Sequence, residues 1–198
     1  MAHKLNVDIY AYDYSGYGAS TGRPSEKNTY ADITAVYDHI KEQGVDPQAE
    51  IILYGQSVGT GPSCYLAANA PVRGLVLHSP MTTGINVISN DDSLCAPANL
   101  FQTCDMFPNL RRIPHIRAPV YIMHGDCDEV IHVSHTQRLL SQWPAHLRHE
   151  PYIVGGAGHD DIFEKDPCEY FRRLQGFIRR TAGATEPTTD PPPVITMS

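Results

Sequence analysis

The chain has 198 residues, of which 41% are hydrophobic, and its formal net charge is −7. This acidic balance, with an isoelectric point near 5.7, argues against a nucleic-acid partner, because proteins that bind nucleic acid carry a basic face. The five cysteines are scattered and include no C-x-x-C pair, which favours a reducing compartment over a disulfide framework or a zinc site. The sequence contains no signal-like or membrane-spanning apolar segment, so we predict one cytoplasmic globular domain.

The first half of the chain alternates strand-like and helix-like segments. Periodic apolar positions predict a helix over residues 28–44 that ends at Gly44, and a second, small-residue helix over residues 60–70. Strands are predicted at VDIYAYD (7–13), IILYG (51–55) and RGLVLHS (73–79). This alternation predicts an α/β fold in which helices cover both faces of a mostly parallel sheet.

The second half begins with an irregular stretch. Residues 81–118 have no sustained period and are interrupted by prolines, so we expect an insertion with short helical turns. PVYIMHG (119–125) and EPYIVGG (150–156) then predict two further strands, with one helix between them and another at residues 168–181. We therefore predict a domain over residues 1–182 and a disordered tail, rich in proline and threonine, over residues 183–198.

Residues 55–59 read G-Q-S-V-G between a predicted strand and a predicted helix. Glycine at the two flanking positions allows a tight turn that presents Ser57 at the carboxyl edge of the sheet, as in a nucleophile elbow. The N–H of the next residue, Val58, is then free to donate to an oxyanion. The pattern alone is a moderate signal, because glycine and serine also occur in ordinary turns.

In the elbow arrangement, an acid and then a histidine follow on loops after later strands. The segment DCDEVI (126–131) follows one predicted strand, and AGHDDIF (157–163) follows the next. His159 is the candidate base that would take the Ser57 proton, and a carboxylate would fix its tautomer. We favour Asp128 as that acid, but Asp126 and Glu129 remain alternatives, since loop carboxylates often only form turns.

Six segments resemble the α/β-hydrolase domain-containing protein 17 family of serine hydrolases, over about residues 5–180: D-Y-S-G-Y-G-x-S (13–20), G-R-P-S-E-K-N (22–28), I-L-Y-G-Q-S-V-G-T (52–60), L-H-S-P (77–80), H-G-D-C-D-E-V-I (124–131) and G-A-G-H-D-D-I (156–162). The resemblance implies an α/β-hydrolase fold with Ser57 as nucleophile, Asp128 as acid and His159 as base. It also implies that the substrate is a palmitoylated protein, joined to its acyl group by a thioester, or a small acyl ester. No cofactor and no metal are expected.

The chain departs from this family before Asp13. The family has further strands there, and one of them precedes an H-G-N loop that completes the oxyanion hole. That strand would lie between the segments 7–13 and 51–55, so we expect an N-terminally incomplete fold with a gap inside the sheet, exposed strand edges and low solubility, unless something else fills the gap. The family's cysteine-rich membrane anchor is also missing, so membrane association is expected only of a full-length form.

Several residues allow less specific interpretations. Met81, Phe101, Met106 and Phe107 could line an acyl pocket, but they more often form local core. The glycine-rich run at 15–20 is interpreted as a structural turn, because it lacks the lysine and the helix of a phosphate loop. His124, His132 and His135 lack the spacing of a metal site.

The sequence leaves three functions open. The favoured one is a serine hydrolase of acyl esters or thioesters, and the alternatives are a serine peptidase of the prolyl-oligopeptidase type and a non-catalytic α/β-hydrolase-fold protein.

Overall fold

The computed structural model describes residues 1–84 and 106–183, and the backbone alone of residues 193–197. Within these ranges the helices and strands follow in the order α1 (Ala2–Leu5), β1 (Asp8–Ala11), α2 (Glu26–Glu42), α3 (Pro47–Glu50), β2 (Ile52–Gln56), α4 (Thr60–Asn69), β3 (Gly74–His78), α5 (Asn109–Arg112), β4 (Val120–Gly125), α6 (Ser134–Gln142), β5 (Tyr152–Val154), α7 (Ile162–Lys165), α8 (Pro167–Thr181) and β6 (Pro193–Met197).

The described strands form one sheet in the order β1-β6-β2-β3-β4-β5, and every neighbouring pair is parallel. The predicted α/β class with a parallel sheet is therefore confirmed. Because the strands are parallel, all their carboxyl ends lie at the same edge of the sheet, where ligands of such folds bind.

Side chains of alternate strand positions enter two separate cores, one on each face of the sheet. On one face, Leu53, Leu75 and Ile122 pack with residues of α2, α4 and α6. On the other face, Ile52, Tyr54, Val76 and Tyr121 of the strands pack with α1 and with Leu174 and Phe177 of α8. Strands buried on both faces have continuous apolar sequences, which explains the runs that predicted them.

The predicted helix at 28–44 begins two residues earlier, at Glu26. The side chain of Ser25 accepts a hydrogen bond from the Asn28 N–H at 3.1 Å and so caps the first turn. The helix ends before Gly44, whose φ of 91° is left-handed, as the sequence predicts.

The tail contains a strand, so the prediction of disorder over residues 183–198 is wrong for residues 193–197. β6 lies between β1 and β2: Ile195 is paired with Tyr10 on one side and with Leu53 on the other. The predicted gap in the sheet is therefore filled, and the facing edges of β1 and β2 are not exposed. Hydrogen bonding of one short segment to two strands outweighs the local tendency of its proline-rich neighbourhood to stay unpaired.

The predicted insertion at 81–118 is described only at its two ends. After residue 105, the short helix α5 is followed by a 3₁₀ turn at Ile113–His115. Met81 and Phe107 are buried with Ile131 in a small separate cluster, which favours the local-core interpretation of these two residues, and Met106 is exposed. Phe101 lies outside the described residues.

We expect Ile195→Pro to lower the free energy of unfolding by about 1–3 kcal/mol. Proline removes a backbone N–H from a strand that is bonded on both sides, and the acceptor left behind is unsatisfied. Urea denaturation of the two proteins measures the difference. Ile195→Val keeps the N–H and is the control for a change of the side chain alone, and equal stability of the proline and valine variants would show that β6 does not support the sheet.

Candidate active site

Ser57 lies directly after β2, on the turn that the G-x-S-x-G spacing predicts. Its φ of 51° is in the left-handed region, which costs a residue other than glycine roughly 1–2 kcal/mol. The 3₁₀ turn Ser57–Gly59 leads straight into α4. A Cβ atom on Gly55 would lie 2.5 Å from the carbonyl oxygen of Gly59, so this close return of the backbone requires glycine at position 55.

Val58 is the second residue of this helical segment. Amide groups at the start of a helix have no acceptor within the helix, so the Val58 N–H is available to an oxygen atom bound beside Ser57. The Val58 side chain itself is exposed. The local backbone therefore suits the role in an oxyanion hole that the sequence predicts for this residue.

His159, on the loop after β5, contacts both of the other candidate residues. Its Nε2 lies 2.9 Å from the Ser57 hydroxyl oxygen, and its Nδ1 lies 2.8 Å from Oδ2 of Asp128. A carboxylate only accepts, so Nδ1 carries a hydrogen, and Nε2 of the neutral ring is left to accept from the serine hydroxyl. We refer to Ser57, His159 and Asp128 together as the Ser–His–Asp chain.

The three carboxylates that the sequence offers as the acid have different surroundings. Asp128 is buried, and its Oδ1 accepts from the N–H groups of Val130 at 2.9 Å and Ile131 at 2.7 Å. Asp126 accepts from the Gly156 N–H at 2.7 Å and so links two loops, and Glu129 is exposed. Asp128 is therefore the carboxylate of the three that is hydrogen-bonded to His159.

Hydrogen bonds in the Ser–His–Asp chain shift the pKa values of Asp128 and His159. Burial alone would raise the pKa of Asp128, but hydrogen bonds from His124, His159 and the Ile131 N–H hold it well below its usual range. The hydrogen bond to Asp128 in turn raises the pKa of His159, although partial burial opposes this effect. Asp128 is thus a carboxylate at neutral pH, and it stabilises a proton on His159.

The loop that carries His159 crosses the end of β4 so closely that the two backbones are in contact. A Cβ atom on Gly125 would lie 2.2 Å from the carbonyl oxygen of Ala157 and 2.5 Å from that of Gly158. The Cys127 N–H donates to the same Ala157 carbonyl at 2.9 Å. Glycine at position 125 therefore allows the His159 loop to lie this close to β4.

Sequence reasoning missed a buried polar group beneath the Ser–His–Asp chain. The Tyr54 hydroxyl lies 2.7 Å from Nδ1 of His78 and 2.7 Å from the Tyr170 hydroxyl. Burial, with smaller effects of His159 and His124, lowers the pKa of His78 to about 4. The next residue, Ser79, donates from its hydroxyl to the His159 carbonyl at 3.5 Å. The L-H-S-P segment contains His78 and Ser79, but nothing in the pattern shows that Tyr54 and Tyr170 lie beside them.

The glycine-rich run after β1 is a structural turn, as interpreted from the sequence. Oδ2 of Asp13 accepts from the Ala19 N–H at 2.9 Å, and the Asp13 carbonyl accepts from the Ser20 hydroxyl at 2.7 Å. Gly18 has a φ of 50° and lies against the Asp13 carboxylate. Hydrogen bonds between the two ends of the turn therefore stabilise it.

Comparison with known proteins gives long matches to one group. The α/β-hydrolase domain-containing protein aho-3 of Caenorhabditis elegans is 42% identical over 190 residues, which are 95% of this chain and 54% of that protein. The α/β-hydrolase domain-containing protein 17B of Xenopus laevis is 41% identical over 179 residues, covering 90% of this chain and 58% of that protein. The chain belongs to the α/β-hydrolase domain-containing protein 17 family. The resemblance that the six segments indicate is therefore confirmed.

This family member spans about half the length of the relatives that it matches. A family profile described as serine aminopeptidase, S33, matches its residues 3–97. Among solved structures, the Pyrococcus furiosus esterase Pf2001 has a TM-score of 0.71 at 19% identity, over 91% of this chain and 73% of the esterase. The Paleococcus ferrophilus monoacylglycerol lipase has a TM-score of 0.61 at 17% identity, over 85% of this chain and 82% of the lipase. At such identities the structures support the fold alone, and the predicted α/β-hydrolase fold is confirmed.

Among the helices of residues 1–84 and 106–183, none is both long and apolar enough to cross a membrane. Within the same ranges, no group of three His, Cys, Asp or Glu side chains is placed to hold a metal ion.

We expect Gly125→Ala to slow the reaction of Ser57 with a fluorophosphonate by about 10²-fold. The added methyl group must push the His159 loop outward, and a displacement of about 1 Å at a reacting group can have an effect of this size. Gly155→Ala is the matched control, because the nearest atom to its new Cβ is 3.9 Å away. Labelling rates are compared after circular dichroism shows that both variants fold, and equal rates in the two variants would contradict the role of Gly125.

Proposed function

We propose that this chain is a serine hydrolase that cleaves acyl thioesters or esters, with Ser57 as nucleophile, His159 as general base and Asp128 as the acid that orients it. One observation carries the proposal: a continuous hydrogen-bonded path runs from the Ser57 hydroxyl through both nitrogens of His159 to the buried Asp128 carboxylate. The triad order along the chain is that of α/β-hydrolases.

In the proposed reaction, Oγ of Ser57 attacks the carbonyl carbon while Nε2 of His159 takes the hydroxyl proton. The Val58 N–H donates to the oxyanion that forms. His159 then gives its proton to the leaving sulfur or oxygen, which leaves an acyl group on Ser57. A water molecule, deprotonated by His159, attacks this acyl-enzyme and releases the carboxylic acid, and the proton returns to Ser57.

Exposed apolar side chains at the carboxyl edge of the sheet favour a fatty acyl substrate. Tyr17, Val58, Val130 and Phe163 are large, exposed and follow the carboxyl ends of β1, β2, β4 and β5 respectively. Exposed apolar side chains on the segments that follow the strands at this edge suit a hydrocarbon chain better than a polar peptide. The family resemblance narrows the proposed substrate to palmitate joined by a thioester to cysteines of proteins, so the proposed partner is an acylated protein at the cytoplasmic side of a membrane.

A serine peptidase is the second candidate, because the profile that matches residues 3–97 is described as a serine aminopeptidase. The same three side chains would serve, but amide cleavage also requires protonation of a poor leaving group. A palmitoyl-cysteinyl peptide thioester and an aminoacyl anilide, assayed side by side, distinguish the two activities. Faster turnover of the anilide would favour the peptidase.

We expect Ser57→Ala to abolish both fluorophosphonate labelling and thioester turnover while the protein stays folded. The Ser57 hydroxyl is hydrogen-bonded to Nε2 of His159, and alanine removes only this one oxygen atom from the fold. Ser141→Ala, at an exposed position on α6, is the control and should keep full labelling. Mass spectrometry of the labelled protein locates the adduct, and an adduct at another serine, or turnover by the Ser57 variant near the unmutated rate, would reject the assignment.

We expect Asp128→Asn to reduce kcat by about 10⁴, because an amide in place of the carboxylate favours the wrong tautomer of His159. Asp126→Asn removes a charge two residues away but can keep an oxygen that accepts from Gly156, so its loss should be below about tenfold. Steady-state kinetics with the preferred substrate compare the two. Similar losses in both variants would show that Asp128 has no special role.

A further inference from the structure

A second histidine, His124, contacts the carboxylate of the Ser–His–Asp chain. His124 lies in β4 and is completely buried, and its Nε2 is 3.2 Å from Oδ2 of Asp128. The same Oδ2 accepts from Nδ1 of His159 at 2.8 Å. Two imidazole rings therefore approach one carboxylate oxygen, while Oδ1 is occupied by two backbone N–H groups.

The surroundings of His124 determine its hydrogen positions. Nε2 also lies 2.7 Å from the carbonyl oxygen of Ile131, and a carbonyl oxygen only accepts, so Nε2 carries a hydrogen. That N–H faces both the Ile131 carbonyl and Oδ2 of Asp128. Nδ1 lies 2.7 Å from the buried hydroxyl of Thr136, which donates to it in the neutral ring. An acceptor bond at Nδ1 makes the N–H on the other side of the ring a better donor.

We propose that His124 is a positioning residue of the site, which shares Oδ2 of Asp128 with His159 and so limits how strongly this carboxylate holds the proton of the general base. The proposal rests on the proposed function for its catalytic meaning, but the underlying proton equilibrium exists in the folded protein without any substrate. The carboxylate keeps its orientation without His124, because the Val130 and Ile131 N–H groups still hold Oδ1. Removal of His124 should therefore change mainly the basicity of Oδ2.

The direction of the effect follows from this competition. Without the His124 donor, the negative charge on Oδ2 is less neutralised, so Oδ2 is more basic. It then accepts more strongly from the His159 Nδ1–H, and the pKa of His159 rises further. Since His159 acts as a base only when neutral, the acid limb of the pH–rate profile moves to higher pH. His78 from β3 and the exposed Asp160 beside His159 also act on this site electrostatically, and both remain unchanged in the variants. His135 on α6 faces Thr82 instead.

The decisive experiment is an NMR titration of the His159 ring in the full chain, carried out for the unmutated protein, His124→Phe and His124→Gln. His124→Phe removes the donor and should raise the pKa of His159 by about half a unit or more, which is roughly a threefold change in proton affinity. His124→Gln offers an amide N–H near the position of Nε2 and should restore most of the original value. The acid limb of kcat/KM should move with the NMR value in each variant.

The possible outcomes separate this inference from the proposed function. An unchanged pKa of His159 in His124→Phe, or a lower one, would overturn the inference, because a lower value would mean that His124 only holds the carboxylate in place. Absence of turnover in the unmutated protein would reject the proposed function and leave the titration result valid. If His124→Phe does not fold, Thr136→Val decides: it removes the donor to Nδ1 and should raise the pKa of His159 by a smaller amount in the same direction, and no rise would overturn the proposal.

Discussion

The site depends on the hydrogen bonds that the buried carboxylate of Asp128 accepts. A charge removed from water is costly unless its oxygens are satisfied, and here both are: backbone N–H groups of its own turn bind Oδ1, and the rings of His159 and His124 approach Oδ2. One carboxylate, on the loop after β4, thus joins the last residues of that strand to the loop after β5. Ser57 is hydrogen-bonded to this group through His159, so the elbow places the serine and the acid orients the ring that faces it.

Close backbone approach is the second constraint, and it is met by glycine at two positions. Gly55 lets the chain return over the elbow, and Gly125 lets the His159 loop cross the end of β4. Both are places where a methyl group would overlap a carbonyl oxygen, so the requirement is steric and independent of the charges nearby. The backbone strain at Ser57, with its φ of 51°, adds a cost that the surrounding sheet and α4 must offset.

The sequence predicted the features that arise from local pattern. Apolar runs predict the first five strands. Ser57, Asp128 and His159 each follow a predicted strand, in the order serine, acid, histidine that accompanies a nucleophile elbow. The sequence could not predict β6, because a strand that begins at the end of a proline run gains its stability from two partners more than a hundred residues away. The same holds for His124 and for the Tyr54–His78–Tyr170 group, whose members come from different elements and meet only in the folded core.

The position of β6 links the last part of the chain to the proposed chemistry at Ser57. β2 ends at the elbow, and its two neighbours in the sheet are β3 and β6, so Ser57, the proposed nucleophile, directly follows a strand that is held on both edges. Gly55, two residues before Ser57, is paired with Met197 on one side and Leu77 on the other. A strand bonded on one edge alone twists and bends more freely than one bonded on both. Because the hydrogen bond between Ser57 and His159 spans two different loops, it tolerates little movement of β2, and the segment 193–197 therefore contributes to the geometry of the site through the sheet.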